Sequence, residues 1–222
     1  MVVALVSVGF AAWLITGSHT EDATGSFVTH DVTNEYFTAK AEVDGTGEGK
    51  IEFGKGSAAT TNATPWFTFD GDNNEILEAT FKITVTPDVA ANLNDILSKN
   101  NIKVTLKAKD AKYDAAVTNG IVAYPTISCG SAKTATATNL ATGVSITLTA
   151  ENFTSGVATV KVNFAWGTNG NPYTYYNNTY ATAEAATQTV RNAATTAIKT
   201  LNEINEQQYD ITLEVVPVST GD

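Results

Sequence analysis

Between Ile76 and Val85 apolar and polar residues alternate almost without a break: Leu77, Ala79, Phe81, Ile83 and Val85 fall on one face, and Glu78, Thr80, Lys82 and Thr84 on the other. Side chains of a strand project to opposite faces with a period of two, so this is the pattern of a half-buried strand in an antiparallel sheet. Shorter runs of the same kind predict strands at Phe27, Val28 and Val32, at Tyr36, Phe37, Ala39, Ala41 and Val43, and at Ile102, Val104, Leu106 and Ala108. Further strands are expected over 121–127, 144–150 and 157–166, and at Tyr209, Ile211, Leu213 and Val215. Gly45 to Lys50 (GTGEGK) reads as a hairpin turn leading to Ile51 and Phe53. Residues 54–64 read as a small-residue loop, followed by an aromatic cluster of Trp66, Phe67 and Phe69 after Pro65.

Two segments switch to a helical period. Thr86-Pro87-Asp88 stops a strand and starts a helix whose apolar stripe is Val89, Leu93, Ile96 and Leu97, ended by Asn100-Asn101. From Tyr180 to Asn205, the residues Ala183, Ala186, Val190, Ala194, Ala197, Leu201 and Ile204 keep helical spacing, and the alanine content favours the helix. Strands outnumber helices and are evenly spaced. The expected fold is therefore mainly β: a jelly-roll-like antiparallel β-sandwich with two helical insertions and an N-terminal apolar segment. Residues 18–222 form one domain in this reading, behind the apolar segment 1–17.

That segment changes the picture. Val2 to Ile15 (VVALVSVGFAAWLI) is nearly all apolar, yet shorter than the ~20 residues a membrane-spanning helix needs. It has the length of a signal-peptide core but lacks the basic residues that usually precede one. Ala11 and Ala12 are small enough to precede a cleavage point. Two readings stand: a signal or anchor segment, or an assembly segment retained and buried in a neighbouring subunit. Both imply export to the cell surface or beyond, with membrane contact only during export. Ser18 to Gly25 is a polar linker into the first strand.

Composition narrows the partners. A chain of 222 residues with 43% hydrophobic content can bury a sizeable core. Its net charge of −10 repels phosphate backbones, which argues against nucleic acid. Cys129 is the single cysteine, so no intrachain disulfide forms, and it is expected to be a small buried residue.

Three stretches carry a resemblance. The apolar run ending in Trp13 leads through polar residues to TGSFV; ILEATFKITVTP is followed by a helical insert; VKVNFAWGTNGNPYTYYNN (160–178) runs from a late strand into a Trp-Gly turn and an Asn-Pro-aromatic loop. In this order the chain resembles the TasA/camelysin family of exported fibre-forming proteins. The resemblance implies a secreted jelly-roll subunit of biofilm-matrix or pilus-like filaments, in which an N-terminal strand of one subunit completes the sheet of the next. Strand addition of this kind satisfies the unpaired N–H and C=O groups of a sheet edge. Repeated head to tail, it gives an open homopolymer. Candidate donors are Val2–Ile15, with Val3, Leu5, Phe10 and Trp13 as its apolar anchors, and Gly25–Val32, with Phe27, Val28 and Val32. The other reading of the latter is an ordinary first strand paired within its own subunit. Camelysin was named as a metalloprotease, but no HExxH occurs here.

Catalytic chemistry finds little to work with. His19 and His30, flanked by Glu21, Asp22 and Asp31, read as solvated linker residues rather than zinc ligands. No histidine lies where a serine or cysteine triad needs a base. Asp70, Asp72 and Asn74 alternate oxygen ligands as a calcium loop does, without the glycine and glutamate positions of an EF-hand; the plainer reading is a polar turn between Phe69 and Ile76. Tyr173, Tyr175 and Tyr176, interleaved with asparagines, suit a partner surface for carbohydrate or a neighbouring subunit; the alternative places some of these rings against the core. Sequons occur at Asn62, Asn152 and Asn177. The expectation is a non-enzymatic, cofactor-free subunit, with calcium as the one candidate ion. A cell-surface adhesin or glycan-binding module is the alternative.

Overall fold

A computed structural model describes residues 27–33, 36–44, 51–54, 56–58, 67–69, 75–131, 133–179 and 187–218. Twelve strands occur among them. These are β1 (Phe27–His30), β2 (Val32–Thr33), β3 (Phe37–Val43), β4 (Gly56–Ala58), β5 (Phe67–Phe69) and β6 (Glu78–Pro87). The second half adds β7 (Asn100–Ala108), β8 (Val122–Cys129), β9 (Lys133–Thr136), β10 (Val144–Leu148), β11 (Val157–Trp166) and β12 (Tyr209–Pro217). The helices are α1 (Leu93–Lys99), α2 (Lys112–Thr118), α3 (Pro172–Thr179) and α4 (Gln188–Asn205).

Alternation decides which face each strand buries. Ala79, Phe81, Ile83 and Val85 of β6 are buried, as are Ala158, Val160, Val162 and Phe164 of β11. They face Ile102, Val104, Leu106 and Ala108 of β7 and Tyr209, Ile211 and Leu213 of β12 across one core. Each large side chain removed from water here is worth roughly 1.5–3 kcal/mol. Between them run two sheets, of order β1-β12-β7-β10 and β2-β3-β6-β11-β8-β9, while β4 and β5 pair separately. The fold is a mainly β sandwich.

The sandwich has two unlike ends. The connections β3–β6, β7–β8 and β11–β12 lie at one end and carry β4–β5, α2, α3 and α4. At the opposite end, α1 joins β6 to β7. Asp95 in its first turn and Lys99 in its last complement the helix dipole, and Ile96 and Leu97 face the core. α4 is capped by the Thr187 side chain, which accepts from the Val190 N–H, and buries Ala194, Ala197, Ile198, Leu201 and Ile204.

Several expectations need correction. Besides the two expected helices, α2 and α3 form, and Tyr173, Tyr175 and Tyr176 lie on a helix rather than in a loop. Pro172 at the first position of α3 presets φ and forfeits only an N–H that has no intrahelical partner. Val89 does not extend the α1 stripe: it precedes the 3-10 turn Ala90–Asn92 in extended backbone and is 57% exposed. β6 runs through Thr86 to Pro87, because Phe37 at the start of β3 pairs opposite Pro87. His30 is a strand residue of β1, not a linker residue. The expected turn at Gly45–Lys50 and the start of the long helix at 180–186 lie outside the described residues.

Candidate functional site

Among the described residues β1 is the first strand and the outermost strand of its sheet. It pairs in parallel with β12, from Phe27 opposite Tyr209 to His30 opposite Thr212. The other strand pairs described are antiparallel. Phe27 points inward and is 7% exposed. Its ring lies 5.0 Å from that of Phe81, edge to face, and 5.3 Å from that of Tyr209. Such packing adds about 0.5–1.5 kcal/mol per pair beyond the area buried. Val28 and His30 take the opposite, outward face and are half-buried.

After His30 the chain changes sheet. Asp31 stands alone between β1 and β2, and its carboxylate accepts a bond from the Ala41 N–H at 3.3 Å. Val32, opposite Ala39, is buried at the edge of the second sheet. β12 continues to Pro217, however, five residues beyond the last one that β1 covers. Residues 213–217 of β12 therefore have β7 on one side and no partner strand on the other among the described residues. His30 Nε2 lies 3.4 Å from Asp210 Oδ1 on the outward face, and His30 Nδ1 is buried without a hydrogen-bond partner among the described residues.

Of the expected assembly residues, Phe27, Val28 and Val32 come together at this corner; Val3, Leu5, Phe10 and Trp13 lie outside the described residues. So do Asp70, Asp72 and Asn74 of the candidate calcium loop, and His19. Among the described residues no group of three or more His, Cys, Asp or Glu is placed to hold a metal ion. Nor is any described helix long and apolar enough to cross a membrane. Tyr175 and Tyr176 of α3 stack edge to face at 5.0 Å, and Tyr176 packs partly against the core. Cys129 is buried at the end of β8, and burial pushes its thiol up from the ordinary value of 9.0, which disfavours the reactive thiolate.

The core ionisable groups are structural. Burial pushes the phenols of Tyr113 and Tyr209 far above their ordinary value of 10.0, with a smaller contribution from each other's neighbourhood: Tyr209 and Asp114 for the first, Asp110 for the second. Sequence patterns carry no signal for the His30–Asp210 contact or for the half-covered edge of β12, since both depend on a pairing between residues about 180 positions apart. Compared with known protein-family models, curated proteins and solved structures, the chain matches none.

Proposed function

We propose that this chain is a structural, non-enzymatic subunit of an extracellular filament, secreted and joined head to tail to copies of itself by a strand donated from the N-terminal region. The supporting observation is the edge of β12, which runs to Pro217 while its neighbour β1 stops at His30, opposite Thr212, with no further strand beside it among the described residues. An edge with one side unpaired offers N–H and C=O groups to a further strand, and a donated strand satisfies them at no cost to the existing ladder. The strand order is consistent with a jelly roll. Each sheet interleaves early and late strands, β1 beside β12 and β6 beside β11, as two Greek keys do, with β2 and β3 extending one sheet.

Negative-stain microscopy and size-exclusion chromatography of the chain with and without residues 1–26, a deletion that leaves β1 and β2 in place, test the reading. The full chain is expected to form heat-resistant polymer and the shortened one to remain monomeric. Full-length protein that stays monomeric under all conditions removes the proposal. The adhesin alternative draws on the Tyr175–Tyr176 pair. It predicts saturable glycan binding by the monomer, weakened in Tyr175→Ala.

A further inference from the structure

At the α1 end of the sandwich the two sheets finish side by side. Phe37, at the start of β3, pairs opposite Pro87 of β6, and the Asp88 N–H bonds to the Tyr36 carbonyl at 3.0 Å. In the other sheet β7 begins at Asn100, opposite Pro217 of β12. Both sheet ends and α1 line a cleft of about 660 Å³. Small-molecule sites run from about 300 to 1,000 Å³, so the cleft is of that size. Asn92, Asp95, Ile96 and Lys99 line it at i, i+3, i+4 and i+7, the spacing that sets side chains on one face of a helix. Phe37 and Ile96 are the buried, apolar part of the lining.

The rest of the lining is largely polar, and it offers both donors and acceptors. Asn100 donates its side-chain amide to the Ile96 carbonyl at 2.9 Å, which holds the side chain in place and leaves its Oδ1 as an acceptor. The Asn92 side chain makes no capping bond, so its amide brings a donor and an acceptor. Lys99 is bound to Asp95 at 2.8 Å, whereas Asp88 makes no ion pair among the described residues. The cleft is therefore net negative, and its lysine is already engaged. Tyr36 stands at its edge, 57% exposed, and is the one aromatic ring among the exposed large hydrophobic residues described.

These groups discriminate between ligands. A phosphate or carboxylate meets Asp88 and Asp95 with no cation left to offset them. Among the described residues no three His, Cys, Asp or Glu are placed together for a metal ion. A lipid tail or an apolar peptide takes water from the amides and carboxylates and returns no hydrogen bonds. A neutral sugar fits what remains. Its hydroxyls donate to carboxylates and both donate to and accept from amides, and the C–H face of its ring packs on an aromatic side chain. Pyranoses with equatorial hydroxyls present the flattest such face. We infer that the cleft binds a short neutral oligosaccharide of equatorial, glucose-type pyranoses. Tyr36 stacks on one ring, and Asp88, Asn92 and Asn100 hold its hydroxyls. The site lies at the opposite end of the sandwich from the Tyr175–Tyr176 pair on α3, and it needs only the monomer, so it goes beyond the filament reading and does not rest on it.

Ligand-observed NMR titrations of the full-length chain test this, with cellobiose and N,N′-diacetylchitobiose as neutral probes and digalacturonate as the charged one. Both neutral disaccharides are expected to bind saturably, and digalacturonate at least about tenfold more weakly. Tyr36→Ala is expected to weaken neutral binding about tenfold by removing the stacking ring. Asn92→Ala is expected to weaken it about fivefold by removing a hydrogen-bonding amide. Tyr175→Ala is expected to change nothing. Tyr36 and Asn92 are both exposed, so melting of either variant is expected to stay close to that of the parent chain. Failure of both neutral probes to bind at about 10 mM overturns the inference. Binding that survives Tyr36→Ala and Asn92→Ala, or that falls in Tyr175→Ala, overturns the placement in this cleft. Digalacturonate that binds as tightly as cellobiose overturns the neutral ligand class. Tyr36-dependent binding by a chain that never polymerises supports the sugar site and removes only the filament reading.

Discussion

Tyr113 and Tyr209 lie edge to face in the middle of the core, their ring centres 6.2 Å apart, but their hydroxyls are treated differently. Tyr113 donates to the Ala123 carbonyl at 2.8 Å, whereas the Tyr209 hydroxyl is buried with no partner among the described residues. Removing a made hydrogen bond costs about 1 kcal/mol, and removing an unmade one relieves a desolvation penalty. Tyr113→Phe is therefore expected to lower stability by about 1 kcal/mol, and Tyr209→Phe to be neutral or stabilising in urea denaturation. The pH dependence has a definite sign. Both phenols are raised in the folded state above their ordinary 10.0. Their contribution to stability is intact below about pH 10 and is lost as pH rises, because the unfolded chain releases these protons first; the slope approaches ~1.4 kcal/mol per pH unit for each ring. Alkaline denaturation profiles of the two Phe variants check this: each is expected to lose about half of the tyrosine-linked slope. Asn205 makes a third case. Its amide accepts from the Phe53 N–H at 2.9 Å and donates to the Gly54 carbonyl at 2.7 Å, tying the end of α4 to a segment about 150 positions earlier. Asn205→Ala strands two buried backbone groups and is expected to cost about 2–4 kcal/mol in the same assay.

Elements differ in how firmly they are held. β12 has β7 opposite its whole length, but β1 has only four paired residues and a single long apolar anchor. Amides of β1 are expected to exchange with solvent well before those of β7 in native-state hydrogen exchange, and Phe27→Ala to cost about 3–5 kcal/mol by emptying the space between Phe81 and Tyr209. Legibility followed the same division. β6, β7, β11 and β12 were readable because each alternates over nine or ten residues with one face in the core. α4 was readable because its buried positions recur at helical spacing through Ile204. α2 has only seven residues and buries just Tyr113 and Ala116, too short a stripe to stand out from its surroundings. In α3 the Asn171-Pro172 step reads as a loop unless Pro172 is taken as a first helical residue. Of the candidate site, the strand Phe27–His30 was legible as a strand, but not its parallel pairing with β12 nor the edge left bare beyond it. Those depend on where Asp31 turns the chain from one sheet to the other, a choice set by long-range packing.

For the whole molecule, assembly sets two forces against each other. Each copy carries a net charge of −10, so copies repel as they approach. The proposed contact is backbone pairing at a strand edge with apolar side chains beside it, neither of which depends much on ionic strength. Screening therefore acts mainly on the approach: the Debye length is about 30 Å at 0.01 M salt, comparable to a ~27 Å run of β12, and about 10 Å at 0.1 M. Raising salt from 0.01 to 0.15 M is thus expected to speed polymer growth, followed by light scattering, by about tenfold, while the salt dependence of monomer melting stays small. Apolar contacts are strengthened by sulfate, so ammonium sulfate is expected to outdo sodium chloride at equal ionic strength. Growth that slows as salt rises would mean that opposite charges hold the copies together. Pairing at the strand edge of β12 would then not be the contact on which the polymer depends.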